Sequence, residues 1–127
     1  MKAIYKKYHG KSIEDWGCYL SEDAKTFCKD FKRRLSVVCK NNNWVLKSFS
    51  INHYDCYGFV EKGQKFVYFS YDIERGGRPL NLEDKSCMSG ILVRTAKNEN
   101  DFTGGSNNFA SILTFEDTIK KIFERGY

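Results

Sequence analysis

Residues 57–71, YGFVEKGQKFVYFSY, constrain the fold more than any other part of the chain. Two runs rich in aromatic and β-branched residues flank the four residues EKGQ at positions 61–64. Such runs are typical of β-strands, and a short polar connection that contains glycine is typical of a hairpin turn. The segment therefore predicts two antiparallel strands joined by a tight turn.

Two further segments have the composition of strands. NWVLKSFSI (43–51) is rich in β-branched and aromatic residues that roughly alternate with polar ones, and SGILVRTA (89–96) has a continuously apolar centre. Together with the hairpin they predict about four strands in an antiparallel meander. The polar segment ERGGRPLNLEDKS (74–86) is predicted to be a loop between the third strand and the fourth.

Residues 22–40 carry the pattern of an amphipathic helix. Ser21 is a favourable N-cap, and acidic residues follow it at the positive end of the helix dipole. The apolar residues recur at a spacing that places them on one face of a helix: Ala24, Phe27, Cys28, Phe31, Leu35 and Val38. The run of asparagines at 41–43 is predicted to end the helix.

A second helix is predicted at the C-terminal end of the sequence. It begins at Thr114, with Asp117 in a weak version of the capping box and Gly126 as the C-cap. Its apolar face consists of Phe115, Ile119, Ile122 and Phe123. A short helical turn is also predicted within SIEDWGCYL (12–20), where Ser12 opens it.

The order of these elements predicts the fold class. A length of 127 residues suits one domain, residues 1–127. An N-terminal helix, about four antiparallel strands and a C-terminal helix predict a two-layer α+β fold, in which both helices pack on one face of the sheet. The chain has no apolar run long enough for a membrane span and no signal-peptide pattern, which predicts a cytoplasmic protein.

The positive charge of the chain is concentrated in its first part. Residues 1–50 hold 11 Lys and Arg against 5 Asp and Glu, whereas residues 51–127 hold 10 against 11. One side of the predicted helix carries the basic residues Lys25, Lys29, Lys32, Arg33 and Lys40, with Glu22 as the only acid expected near them. This basic stripe predicts a binding surface for an anionic partner such as nucleic acid. The alternative is an ordinary solvated face.

Residues 94–109, RTAKNENDFTGGSNNF, are predicted to form a long polar loop after the last strand. Loops of this length in small domains are usually functional or disordered. Arg94, Lys97, Asn107 and Asn108 are therefore predicted to contact a partner, with a purely structural loop as the alternative. The glycine pairs at 76–77 and 104–105 are expected to serve turns, although Arg75 and Arg78 beside the first pair are also candidate phosphate contacts.

Residues with catalytic chemistry are few. The five cysteines are odd in number and include no CxxC, which predicts reduced, buried thiols rather than disulfides or zinc ligands. In the segment HYDC (53–56), His53 and Asp55 would point to one side of a strand and Cys56 to the other, so a catalytic site is not predicted. His9 and His53 lack the spacing of metal ligands. We predict neither an enzyme nor a cofactor.

The segments IYKKYHGKSIEDWGCYLSEDAKTF (4–27) and LVRTAKNENDFTGGSNNF (92–109) resemble small accessory proteins of Firmicutes phage and mobile elements. Proteins of this kind include anti-CRISPR inhibitors. The resemblance implies a binding protein that inhibits a host CRISPR effector nuclease or its guide-RNA complex. Because the chain is basic, contacts to guide RNA or to a mixed protein–RNA surface fit it better than mimicry of DNA. The alternatives are a stand-alone nucleic-acid-binding protein and a small RNA-cleaving enzyme.

Overall fold

A computed structural model describes residues 1–9, 22–52, 55–73, 82–83, 85, 90–125 and 127. The helices and strands are α1 Lys2–Tyr8, α2 Glu22–Asn41, β1 Val45–Ile51, β2 Asp55–Lys62, β3 Lys65–Asp72, β4 Ile91–Ala96, β5 Asn108–Ala110 and α3 Phe115–Phe123. The strands form one antiparallel sheet in the order β1-β2-β3-β4-β5. The predicted α+β class, an antiparallel sheet with an N-terminal and a C-terminal helix, is confirmed.

Two elements were not predicted. Strand β5 is only three residues long and lies within the Asn- and Gly-rich segment, where no alternating pattern marks it. Helix α1 spans seven residues, and only Ile4 of these is buried, so its periodicity is too short to register as an amphipathic pattern. The sheet therefore has five strands rather than about four. The predicted turn at 12–20, the glycine pair at 76–77 and Gly126 lie outside the described residues.

The predicted β2–β3 hairpin is confirmed, but its turn is shorter than the predicted turn at 61–64, because Glu61 and Lys62 belong to β2. The strands pair from Asp55↔Asp72 to Lys62↔Lys65, so the chain reverses at Gly63 and Gln64. Gly63 has φ 62°, a left-handed conformation that glycine adopts without steric cost. The hairpin extends beyond the predicted residues 57–71, because Asp55 and Asp72 also pair with each other.

The main core lies between the sheet and the helices. Phe31 of α2 is fully buried, and its ring centroid lies 5.6 Å from those of Tyr71 and Phe115 and 6.2 Å from that of Phe69. Phe115 begins α3 and also contacts Phe69 at 5.7 Å. Both long helices thus cover the same face of the sheet, because their apolar stripes need this face for burial. The outcome agrees with the two-layer prediction.

A buried carboxylate joins α1 to α2. Asp30 of α2 is 8% exposed. It accepts hydrogen bonds from Lys7 Nζ at 2.6 Å, Tyr8 Oη at 2.5 Å and Arg33 at 3.0 Å. Three donors on two helices satisfy the carboxylate, as a buried charge requires. The basic N-terminal segment is therefore part of the fold and packs against α2.

The cysteines that the structure describes, Cys28, Cys39 and Cys56, are buried free thiols, as predicted. Cys18 and Cys87 lie outside the described residues. Among the helices of the described ranges, none combines the length and the hydrophobicity needed to cross a bilayer.

Candidate functional site

The basic stripe of α2 lies largely at the surface. Lys29, Lys32, Arg33 and Lys40 are exposed and Lys25 is half-buried. At 100° per residue these five residues fall within an arc of about 100° around the helix axis. The opposite side of α2 is fully buried in the main core through residues such as Phe27, Phe31 and Leu35. Burial of one side of the helix thus forces the cations onto the other.

The expectation that Glu22 is the only acid near the stripe is wrong. Asp30 lies three residues before Arg33 and forms an ion pair with it, with N–O distance 3.0 Å. Burial alone would raise the pKa of the Asp30 carboxyl, but the hydrogen bonds from Lys7 and Tyr8 and the charge of Arg33 outweigh it, and the pKa is lowered. Asp30 is therefore ionised near neutral pH and neutralises part of the local positive charge.

Two of the other cations differ in their surroundings. The Lys32 ammonium lies 6.0 Å from the centroid of the Phe49 ring, where a cation and an aromatic face attract each other weakly. Lys40 is in the last turn of α2, where a cation interacts favourably with the negative end of the helix dipole. Arg34, which was not among the predicted residues, is also exposed.

The segment between β4 and β5, residues 97–107, is a folded loop that its own aspartate organises. Asp101 accepts hydrogen bonds from the backbone N–H groups of Lys97 at 2.9 Å, Gly104 at 2.9 Å and Thr103 at 3.3 Å. The bond from Lys97 is the main reason that the pKa of the Asp101 carboxyl is lowered. This pattern is that of an aspartate side chain bridging a turn. We call residues 97–107 the amide loop.

The second glycine pair lets the amide loop close on β4. Gly105 has φ 75°, and a Cβ placed on it would lie 2.6 Å from the Thr95 carbonyl oxygen. A Cβ on Gly104 would lie 2.4 Å from a carboxylate oxygen of Asp101. The predicted turn role is thus confirmed for Gly105, where positive φ favours glycine. At Gly104 the requirement is space.

Arg94 holds the amide loop against the sheet. Its guanidinium lies 4.8 Å from the centroid of the Tyr68 ring and donates hydrogen bonds to the Phe102 carbonyl and, at 3.4 Å, to Asn107 Oδ1. Its buried Nε has no hydrogen-bond partner among the described residues. The cation–π contact with Tyr68 offsets part of the cost of this burial.

Asn108 also makes contacts within the chain. Its amide nitrogen donates to the carbonyls of Val93 at 3.2 Å and Ser106 at 3.0 Å, and its amide oxygen accepts from Arg125 at 3.1 Å. Lys97 and Asn107 are exposed. Of the four loop residues predicted to bind, Arg94 and Asn108 thus support the loop, while Lys97 and Asn107 lie at its surface. Arg75 and Arg78 lie outside the described residues.

The sheet face opposite the long helices carries a second aromatic cluster, which was not predicted from the sequence. We call it the aromatic face, and it consists of Tyr57, Phe59, Phe66, Tyr68, Leu92, Ala96 and Phe102. Phe102 reaches it from the amide loop, with ring centroids 5.2 Å from Phe59, 5.8 Å from Tyr68 and 6.0 Å from Tyr57. Phe59 is fully buried, whereas Phe102 is 45% exposed.

A signal for this cluster is present in the hairpin sequence. Tyr57, Phe59, Phe66 and Tyr68 alternate with Gly58, Val60, Val67 and Phe69, so both faces of β2 and β3 are apolar. Such near-continuous apolar runs are typical of strands that are covered on both sides. The partner that covers Phe59, however, comes from a loop about 40 residues further along the chain, which periodicity does not reveal.

Two carboxylates lie at one end of the aromatic face. Asp55 and Asp72 are directly opposite each other in the β2–β3 register. Burial, and then the charge of Asp72, raise the pKa of the Asp55 carboxyl, although a hydrogen bond from Ser70 Oγ at 3.3 Å acts in the other direction. At the opposite end, Glu61 lies 3.9 Å from the Lys47 ammonium. Like charges directly opposite in a sheet are unfavourable. The end of the face with Asp55 and Asp72 therefore has two carboxylates that repel each other, whereas the end with Glu61 has an ion pair.

Cys56 has the environment of a core residue. It lies on the helix side of the sheet, fully buried, while its neighbour Asp55 lies on the other face. Its contact with Cys28 and its burial raise the pKa of the Cys56 thiol well above the usual value. The nucleophilic thiolate is therefore disfavoured. His53, the base considered for this thiol, lies outside the described residues.

His9, the other histidine, is at the surface. Its ring stacks on Tyr5 at 4.4 Å between centroids, and the Tyr5 hydroxyl donates to Glu83 at 2.5 Å. This hydrogen bond is the first cause of the raised pKa of Tyr5. Within the described residues, no group of three His, Cys, Asp or Glu side chains has the arrangement of a metal site.

A cavity of about 380 Å³ lies between the amide loop and the C-terminal Tyr127. Gln64, Thr95, Lys97 and Asp101 line it together with Tyr127. The Asp101 carboxylate is already bonded to backbone N–H groups, and the Tyr127 hydroxyl donates to the Phe66 carbonyl at 2.9 Å. These polar groups serve the fold of the loop and of the C-terminal segment.

Comparison of the chain with protein-family models, with curated proteins and with solved structures found no match in any of the three. The surfaces described above therefore carry the inference to function. The basic stripe lies on the helix side of the sheet, and the amide loop reaches the aromatic face on the other side through Phe102. The structure therefore does not bring the predicted residues of the stripe and of the loop into one site.

Proposed function

We propose that this protein acts by binding and that it inhibits a host RNA-guided defence nuclease on behalf of a phage or mobile element. The basic stripe on α2 is the proposed contact, and the RNA-bearing surface of the guide-loaded nuclease is its proposed target. The observation that supports this proposal is that Lys29, Lys32, Arg33 and Lys40 are exposed together on one side of a 20-residue helix.

The charge arrangement of α2 favours an extended anion. Between Ala24 and Asn41 the sequence has one acid, Asp30, and that side chain is buried. Lys29 and Lys40 are 11 residues apart in the sequence, which corresponds to about 16 Å along a helix. A nucleic-acid backbone presents several phosphates over that distance. The helix therefore offers several simultaneous phosphate contacts.

Binding by such a stripe would depend strongly on salt. If about four lysines and arginines each neutralise one phosphate, the logarithm of the affinity should fall with that of the salt concentration with a slope of roughly −3 to −4. Arg33 is expected to contribute less than the lysines, because its guanidinium is already paired with Asp30. Lys29 and Lys40 are thus the informative positions.

The test compares two charge-reversal variants of equal net charge. Lys29→Glu/Lys40→Glu changes the stripe, and Lys62→Glu/Lys121→Glu changes exposed lysines of the hairpin turn and α3. Each protein is mixed with a guide-loaded nuclease of a Firmicutes host, and co-elution and DNA cleavage are measured. We expect the wild type and the control to co-elute and block cleavage, and the stripe variant to need at least about tenfold more protein.

Other results favour the alternatives. If the wild type binds labelled guide RNA equally well without the nuclease and leaves cleavage intact, the protein is a stand-alone nucleic-acid-binding protein. If labelled RNA is shortened on a gel, it is an RNA-cleaving enzyme. If the two double variants behave alike in every assay, the stripe is an ordinary solvated face and the proposed contact is wrong.

A further inference from the structure

The aromatic face has the make-up of a protein-binding surface. The long helices α2 and α3 pack on the opposite side of the sheet, through Phe31 and Phe115. On the aromatic face, rings surround the buried Phe59, and the outermost of them, Phe102, is 45% exposed. Tyr57, Phe66 and Leu92 are half-buried around it. Aromatic residues arranged around a desolvated centre are typical of the centres of protein interfaces.

The rings of this face are held in fixed positions. Phe102 meets Phe59 edge-on at 71° and Tyr68 at 80°, while Tyr68 stacks with the Arg94 guanidinium on the same strand face. Arg94 also bonds the Phe102 carbonyl, which fixes the backbone beneath the exposed ring. A partner that binds here therefore loses little side-chain entropy on the protein's side.

The charge of this face distinguishes it from the basic stripe. Among the described residues of the paired strands, the aromatic side carries the carboxylates Asp55, Glu61 and Asp72 and the guanidinium of Arg94. Lys47 lies near Glu61 at the opposite end from Asp55. The Asp55 carboxylate, half-buried at the end of the face, would repel a phosphate backbone and attract a cationic side chain. The charge thus selects against nucleic acid here.

We propose that the aromatic face is a second docking surface, and that its occupant is a segment of another protein that carries apolar and basic side chains. Apolar side chains of that segment pack on Phe102 and Tyr57, and a lysine or arginine reaches Asp55. This surface lies on the other side of the sheet from α2, so the protein can contact a nucleic acid and a protein at the same time. The proposal does not depend on the identity of the partner of the basic stripe.

The first experiment identifies the chemistry that the face recognises. The immobilised full chain is used to select peptides from a random-peptide display library, and enriched peptides are synthesised and titrated. We expect enriched peptides to combine aliphatic or aromatic residues with lysine or arginine. The selection is made in excess heparin, a polyanion that occupies the basic stripe. Enrichment of acidic peptides under these conditions, or of none above an unrelated bait, would overturn the proposal.

The second experiment maps the binding to the aromatic face. We expect Phe102→Ala and Tyr57→Ala each to lower the affinity for the synthetic peptide by about tenfold, as loss of an interface anchor does. Asp55→Asn, which preserves the shape of the side chain, should weaken it several-fold while leaving the fold intact. Lys29→Glu/Lys40→Glu is the matched control and should leave peptide binding unchanged. Equal binding by all the face variants would overturn the proposal, as would loss of binding in the stripe variant.

Two other occupants have distinct results. If light scattering shows that the wild type is a dimer and Phe102→Ala a monomer, a second copy covers the face and the proposal is wrong. If single-stranded RNA binding falls with Phe102→Ala but not with Lys29→Glu/Lys40→Glu, the occupant is nucleic acid, which also contradicts the proposal. Failure of nuclease inhibition with successful peptide mapping would reject the proposed function alone.

Discussion

The two sides of the sheet solve different physical problems. On the helix side, Phe31 and Phe115 pack between α2, α3 and the sheet, and the cations of α2 face outward from that core. On the other side, a smaller cluster surrounds Phe59 and has carboxylates at its ends, and within the described part of the chain the Phe102 ring of the amide loop packs over it. One side therefore buries its apolar residues and exposes positive charge, whereas the other leaves apolar rings partly exposed beside negative charge.

This difference separates stability from recognition. The helix-side core holds most of the fully buried large side chains, so it supplies most of the hydrophobic stabilisation. The aromatic face contributes less hydrophobic stabilisation, because its outer rings, such as Phe102, stay partly exposed. A partner could bury these rings. Electrostatic binding at the stripe would weaken steeply with salt, whereas binding at the aromatic face, which adds one ionic contact to apolar packing, would weaken much less.

Truncation of one ring on each side should give unequal losses of stability. Phe31→Ala removes a fully buried ring at the centre of the main core and should cost about 4 kcal/mol. Phe102→Ala removes a ring that is 45% exposed and should cost about 1 kcal/mol. Urea unfolding followed by circular dichroism measures both. Similar losses would show that the aromatic face is as important to the fold as the helix side.

Removal of the buried charge of Asp30 should cause the second-largest loss of unfolding free energy. Asp30→Asn replaces a carboxylate that has three charged or hydroxyl donors and should cost about 3 kcal/mol near neutral pH. Asp117→Asn on the exposed side of α3 is the control and should change little.

The same variant has a defined pH dependence. Because the pKa of Asp30 is lowered in the folded state, its stabilisation is complete above the usual aspartate pKa and is lost as the pH falls towards the lowered value. The gap in unfolding free energy between wild type and Asp30→Asn should therefore narrow on acidification below about pH 4. A gap that is constant down to lower pH would show that packing, not charge, makes Asp30 important.

The amide loop should be sensitive to a methyl group where the hairpin turn is not. Gly105 and Gly63 both have positive φ, but a Cβ on Gly105 meets Thr95 and one on Gly63 has nothing within 4 Å among the described atoms. We expect Gly63→Ala to cost about 1 kcal/mol and Gly105→Ala about 2 kcal/mol or more. Unfolding and the rate of proteolysis within 97–107 measure the difference. Equal costs would show that the loop has room to adjust.

The smallest effect concerns the paired aspartates. Asp55→Asn removes a charge that faces Asp72 and should stabilise the protein by about 0.5 kcal/mol at neutral pH. The pKa of Asp55 is raised in the folded state, first by burial, so its ionisation opposes folding only above the unfolded pKa. The gain should disappear as the pH is lowered and the wild-type carboxyl takes up a proton. A loss of stability instead would mean that the hydrogen bond from Ser70 dominates.

Local patterns predicted the elements that bury a continuous apolar stripe. The two long helices have an apolar period within a single segment, and the hairpin has two aromatic and β-branched runs around a short polar connection. Each of these elements was found close to its predicted bounds. Strand β5 was missed because its pairing with β4 comes from the sheet and not from its own three residues. The role of the basic N-terminal segment was missed for the same reason, since Asp30 is what joins it to α2.

The candidate site divides in the same way. The sequence identified the cations of α2, because the helical period fixes which residues share a side. It did not reveal that Asp30 pairs with Arg33, nor that Arg94 and Asn108 hold the amide loop to its neighbours. Those contacts depend on which groups from distant segments meet, and composition does not encode that.

Local sequence patterns predicted the α+β class, the positions of the two long helices and the basic side of α2. The helices follow from an apolar period of 3.6 residues, and the strands follow from aromatic and β-branched runs next to turn residues. By contrast, the packing of Phe102 on Phe59 and the position of the β2 and β3 carboxylates beside those rings appear only in the folded chain. Strand register and loop closure bring together residues that are far apart in the chain. These long-range contacts place the aromatic rings and the carboxylates side by side on the second face of the sheet, and no local pattern encodes them.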